Sequence, residues 1–149
     1  MCRLVHAARG RVVHTKALDR RGWAELGSEG LRGATDVSGP VAELPGAEER
    51  TDHGHTGYAV RGKRFAWLLV DHHGDERLAL CVKSAPGEQE ALVSADPGRY
   101  FVPAYLGHHG WVGLMLDEGS RPDWPEVTAM VEQAWRFTAG KRAVAAYAR

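Results

Sequence analysis

The residues best placed to do chemistry are cations gathered around a glycine. Arg61, Lys63 and Arg64 flank Gly62, and Lys83 closes the apolar run 78–82. Lys and Arg on a turn meet phosphate oxygens, and each phosphate neutralised steepens the salt dependence of binding by about −0.9 in slope. The plainer role for such a cluster is a solvated turn that keeps a sheet edge soluble. Histidines form the next set. His53 and His55 can point together, and His72-His73 end the following apolar run. Antiparallel pairing brings these groups to the end of the sheet opposite the basic turn, where imidazoles could share a metal. No thiolate stands near them, and His72 and His73 point apart in a strand, so no metal site is expected. His108-His109 flank a turn at the basic end and, when protonated, could assist a polyanion.

Tyr58, Trp67, Tyr105 and Trp111, with Trp135, are the aromatics that could line a pocket for a flat ligand or stack bases. Core packing is the alternative for each of them. Nucleophilic catalysis has little to stand on. Ser84, Ser94 and Ser120 lie in no nucleophile elbow, and Cys81 has no histidine partner by sequence position. Glu48, Glu49 and Asp52 could pair with His53, but acids ahead of a strand are common, and Gly62 and Gly74 are turn glycines rather than a phosphate-cradling run. The expectation is a protein that is no enzyme and uses no cofactor.

These residues must be positioned by a single domain. With 149 residues, 44% hydrophobic and 26% charged, the chain is long enough to bury a core. Its net charge is zero but unevenly spread: residues 1–32 hold seven Lys/Arg against three acids, and the rest hold twelve against sixteen. A domain that lives by phosphate contacts usually shows a basic excess, so a nucleic-acid role here rests on a local patch. Two cysteines, Cys2 and Cys81, give neither a disulfide framework nor a C-x-x-C motif. There is no long apolar run and no h-region at the start, which leads to the expectation of a cytoplasmic protein with no membrane association.

Residues 1–33 read as a basic extension, poorly ordered, with neither a helical nor a strand period sustained; a short helix over 16–26 is conceivable. The domain proper spans 34–149. Val37, Val41 and Leu44 mark a first helix, capped by Asp36 or Ser38 and ended by Pro45-Gly46, after which the acidic run 48–52 leads into the sheet. Strands follow over 55–61, 64–71 and 77–83. The second is apolar on both faces, which makes it central and requires a cover on each side. Cys81 falls on the more polar face of the third. A helix over 86–95, with Ser84 as its cap, then leads to strands over 100–106 and 111–116, the former at an edge because of Pro103. Asp123-Trp124-Pro125-Glu126 opens the strongest helix, whose stripe is Val127, Met130, Val131, Ala134 and Thr138. A short helix follows Gly140. The order α-β-β-β-α-β-β-α-α predicts an α+β fold, a two-layer α/β sandwich with a mostly antiparallel sheet.

That order, with particular residues, resembles the MmcQ/YjbR family of small bacterial proteins. The matching residues are Leu44-Pro45-Gly46 and Glu48-Glu49, then Gly62-Lys63 with Phe65, then Leu80 and Lys83. Pro103-Ala104-Tyr105 ahead of Trp111, Trp135, and Lys141-Arg142 through Tyr147 complete the set, over about 34–148. The leader and Ser38-Gly39-Pro40 depart from the family pattern. The resemblance implies the fold of the secretion chaperone-like group and a DNA-binding role with a double-wing motif. On that reading DNA is the partner, bound through Arg61, Lys63, Arg64 and Lys83. The alternatives are a module that binds a planar ligand among Tyr58, Trp67, Tyr105 and Trp111, and a homodimer paired through the exposed sheet face.

Overall fold

The computed structural model describes residues 3–8, 11–15, 36–52, 55–70, 78–117 and 120–148. Strands β1 (Arg3–Ala8) and β2 (Arg11–Thr15) pair antiparallel as a sheet of their own, where the sequence sustains no strand period. Backbone pairing needs no such period, because its hydrogen bonds are made by the main chain. The helix expected over 16–26 lies outside the described residues.

The domain is built on one antiparallel sheet of six strands. These are β3 (Ala47–Asp52), β4 (His55–Val60), β5 (Lys63–Val70), β6 (Leu78–Val82), β7 (Tyr100–Phe101) and β8 (Val112–Met115), in the order β3-β4-β5-β6-β8-β7. Helix α1 covers residues 36–42, α2 Glu88–Ala95, α3 Trp124–Ala139 and α4 Lys141–Tyr147. The fold is therefore α+β, and this sheet has one strand more than the sequence suggested. The acidic run does not lead into the sheet; as β3 it is the edge strand of that sheet. Charged residues have low strand propensity, yet they suit an edge, where they discourage pairing with another chain.

Two rows of side chains define the faces. Glu49, Tyr58, Ala66, Val82 and Val112 are cross-strand partners on the helix side, and Arg50, Gly57, Trp67, Cys81 and Gly113 are partners on the outer side. Tyr58, Phe65, Leu68, Leu80 and Leu114 are buried with Val37 and Val41 of α1 and with Val127, Val131 and Trp135 of α3. Trp135, fully buried, belongs to the inward face of α3, and its Nε1 donates to the carbonyl of Pro45 at 3.1 Å. Glu126, in the first turn of α3, accepts from Arg99 Nη1 at 2.9 Å. Ser84 does not cap α2, which follows Gly87 without a side-chain cap; its hydroxyl donates instead to the carbonyl of Gly110. Cys81 is fully buried, although its strand alternates with more polar neighbours on that face.

One irregularity shapes everything near the hairpin. Tyr58 pairs with Ala66 but Ala59 pairs with Arg64, so Phe65 is an extra residue in β5. This β-bulge turns Phe65 and Ala66 both toward the core. Arg64 and Trp67, three apart and destined for opposite faces in a regular strand, come out on the same one.

Candidate nucleic-acid interface

The β4–β5 hairpin turns on two residues, Arg61 and Gly62, both with positive φ (54° and 76°). That is the backbone a two-residue turn of the primed type requires, and it matches the twist of the flanking strands. Arginine tolerates this conformation less readily than glycine or asparagine, so the position carries strain. Its guanidinium is engaged: Arg61 Nη1 donates to the carbonyl of Ala139 at 3.4 Å, at the C-terminal end of α3, where the helix dipole favours a cation. A Cβ placed on Gly140 would lie 3.7 Å from that same Nη1. The hairpin tip therefore abuts the α3–α4 junction, and the exposed Lys141 and Arg142 begin α4 at that point.

The four expected cations are only partly brought together. Lys83 hydrogen-bonds through its backbone N–H to the carbonyl of Phe65 at 2.9 Å, and its Nζ lies 5.8 Å from the ring centre of Phe137. Phe137 is itself 50% exposed on α3. Arg61 and Lys83 thus gather at the last turn of α3, on the helix side, and Lys63 is exposed at the tip. Arg64 leaves this group. The bulge sends it to the outer face, where its guanidinium carbon sits 3.9 Å from the ring centre of Trp67. Arg50 reaches that same outer face from β3 and, with Glu48 and Arg64, lines a shallow depression of about 360 Å³ over Gly57 and Ala59. Sequence reasoning missed Arg50 because it belongs to the unrecognised strand; its i, i+2 spacing from Glu48 was the available signal. Lys141 and Arg142 were missed as part of the patch because only the fold places them beside the tip.

The aromatic set does not form one pocket. Tyr58 is wholly buried on the helix side, Trp67 lies on the outer side, and Tyr105 is 79% exposed with φ 65°. Trp111 is 7% exposed and lies outside the core cluster. Alternation along adjacent strands separates Tyr58 from Trp67, and no pocket can take both.

Beneath α1 lies a buried polar group that the sequence did not single out. Ser38 is not a cap; its hydroxyl is 3.0 Å from that of Tyr58 and donates to Glu49 Oε1 at 3.4 Å. Burial pushes the Glu49 carboxyl up from 4.5 to about 7, against a smaller lowering by the Ser38 bond. Burial, and secondarily the charge of Glu49, raises the Tyr58 phenol above its ordinary value. Burial also raises the Cys81 thiol to about 12.

Of the histidines, His108 and His109 lie in a 3₁₀ turn (Gly107–His109) just before β8, at the Lys83 end of the sheet, with ring centres 3.9 Å apart. His55 lies at the far end, its ring 6.4 Å from that of Trp67. His53, His72 and His73 lie outside the described residues. Among the described residues no three of His, Cys, Asp and Glu gather as metal ligands, and no helix is long and apolar enough to cross a membrane.

The family model of YjbR matches residues 42–137, which takes in the sheet, the hairpin tip and most of α3. The chain belongs to the YjbR family. Among solved structures, this YjbR protein is similar to Deinococcus radiodurans protein DR2400, described as a DUF419-domain protein, with a TM-score of 0.58 and 21% identity. The match covers 68% of this chain and 75% of that one, and it bears on the fold alone. No curated protein matches the YjbR chain.

Proposed function

We propose that this YjbR protein binds nucleic acid through the basic end of its sheet and performs no chemistry there. The reading rests on one observation: the hydrogen bond from Arg61 to Ala139 sets the hairpin tip against the start of α4. Arg61, Lys63, Lys141 and Arg142 are thereby concentrated at one end of a domain whose overall balance is acidic. Lys83 and the exposed ring of Phe137 extend this end along α3. Lysines and arginines on a projecting turn suit the phosphate backbone, which they position against without reading sequence. Asp117 and Asp123 lie toward the opposite end of the sheet, after β8, while Glu48, opposite Ala59, stands beside the tip and bounds the basic patch on the β3 side. A bacterial cytoplasm is the compartment that suits such a partner.

Fluorescence anisotropy with a labelled duplex at rising salt tests the reading. Wild type should bind with a salt slope of several units, and Lys63→Ala/Lys141→Ala should lower that slope by about 2, at about −0.9 per phosphate contact. Absence of binding at low salt, or an unchanged slope in the double variant, refutes it.

A further inference from the structure

The depression on the outer face has a geometry of its own. Glu48, Ala59 and Arg64 form one cross-strand row, and Arg50, Gly57 and Trp67 form the next. The floor is therefore β4, where Gly57 and Ala59 offer almost no side chain. One wall is β3 with Glu48 and Arg50, and the other is β5 with Arg64 and Trp67. The walls stand two strand spacings apart, about 10 Å. The trough runs alongside the hairpin and reaches Gly62 at the turn.

Arg64 is held in this trough by its surroundings. Its guanidinium carbon is 3.9 Å from the centre of the Trp67 ring, and a Cβ on Gly57 would come within 2.9 Å of its Nε. Only a glycine at 57 lets the guanidinium lie there against the strand. The arrangement is an exposed cationic plane backed by an aromatic ring, and unstacked bases stack on such planes. Across the floor, Arg50 supplies a second guanidinium for a phosphate. The carboxylate of Glu48 on the same wall opposes the entry of further phosphates. A duplex keeps its bases inside and carries two backbones, so it fits the projecting tip but not a trough of this width.

We propose that the trough receives a single-stranded nucleic-acid segment, one base lying on the Arg64–Trp67 pair and a neighbouring phosphate meeting Arg50. This rests on the nucleic-acid reading above and divides it: duplex on the tip, single strand on the sheet face. Gly57→Ala is the decisive variant, because it keeps every charge and displaces only the end of a flexible side chain. Arg50→Gln, at an exposed position, is the second. Anisotropy with labelled oligo(dT) and with a blunt duplex is measured for both, alongside thermal melting to show that each variant is folded. Each variant should lose about tenfold in oligo(dT) affinity, the scale of one stacked base or one charged contact, while duplex affinity stays within about twofold for Gly57→Ala. Trp emission should change on oligo(dT) binding in wild type, and that change should be lost in Trp67→Phe. If both variants bind oligo(dT) like wild type, the trough is refuted and the tip reading survives. If oligo(dT) binds with the expected losses but the duplex never binds, the trough stands and the tip reading fails. Binding of neither nucleic acid overturns both.

Discussion

The hydroxyl of Ser38 on α1 lies 3.0 Å from the hydroxyl of Tyr58 on β4, and both residues are buried. Tyr58 can donate to Ser38 and Ser38 to Glu49 Oε1, a chain that satisfies both hydroxyls but leaves Glu49 Oε2 buried with no hydrogen-bond partner among the described residues. Three residues from three elements thus seat the first helix on a carboxyl group that prefers to be neutral.

The stability of the fold should therefore fall as pH rises from about 4.5 to about 7. The folded protein holds a proton on Glu49 up to about pH 7, whereas the ordinary value is 4.5. Below 4.5 both states are protonated and stability is highest. Above about 7 the folded state bears a buried charge, and the loss reaches at most about 3 kcal/mol. Urea unfolding at about pH 5 and about pH 8 should show wild type weaker at the higher pH, and Glu49→Gln should remove most of the difference. A pH dependence identical in wild type and variant would dismiss Glu49 as its source.

Arg61 should show stability and binding pulling in different directions. Its φ of 54° costs an L residue of this size about 1 kcal/mol, less for asparagine. Arg61→Asn should relieve the turn, offset in part by the lost bond to Ala139, so that the melting temperature is not lowered. Polyanion affinity should fall by about threefold to tenfold, as for the loss of one phosphate contact. Equal affinity with a lower melting temperature would make Arg61 purely structural.

Gly113 should tolerate no side chain. A Cβ there would run into the ring of Phe101, which lies over it from the edge strand β7. Gly113→Ala should cost about 1–3 kcal/mol in chemical unfolding, as overpacking does. Gly113→Ala/Phe101→Leu should recover part of the loss. No destabilisation in the single variant would contradict the contact.

Cys81 should be inert in the native state. It is buried, its thiol is held up at about 12, and only the thiolate reacts. In a Cys2→Ser background, iodoacetamide at about pH 8 should leave the native mass unchanged and modify one site after denaturation. Rapid alkylation of native protein would mean that the outer face opens around β6.

Much of this fold was legible because its central elements are apolar or periodic. Apolar runs bounded by turn residues marked β4, β5 and β6, and the 3.6 spacing of Val127, Val131 and Ala134 marked α3. Strand β3 was not legible because four of its six residues are charged, and charge reads as loop until a partner strand is seen. The bulge at Phe65 was hidden for a different reason. It changes no residue type and appears only in the pairing of Ala59 with Arg64. The candidate site depends on both. Without β3 there is no wall for Arg50, and without the bulge Arg64 points into the core. The junction of the tip with Lys141 and Arg142 lies a further step away, since it joins residues separated by most of the domain.

The extra residue in β5 also has a mechanical meaning. It acts as a phase shifter in the strand: Trp67 onward keeps the alternation that the helices require, while Lys63 and Arg64 run half a period out of step with it. Deleting Phe65 would restore a regular ladder with Arg64 still opposite Ala59 and still outward, and would take one ring from the core while the sheet beyond Ala66 stays in place. Within one continuous strand, the tip and the core can therefore be altered separately.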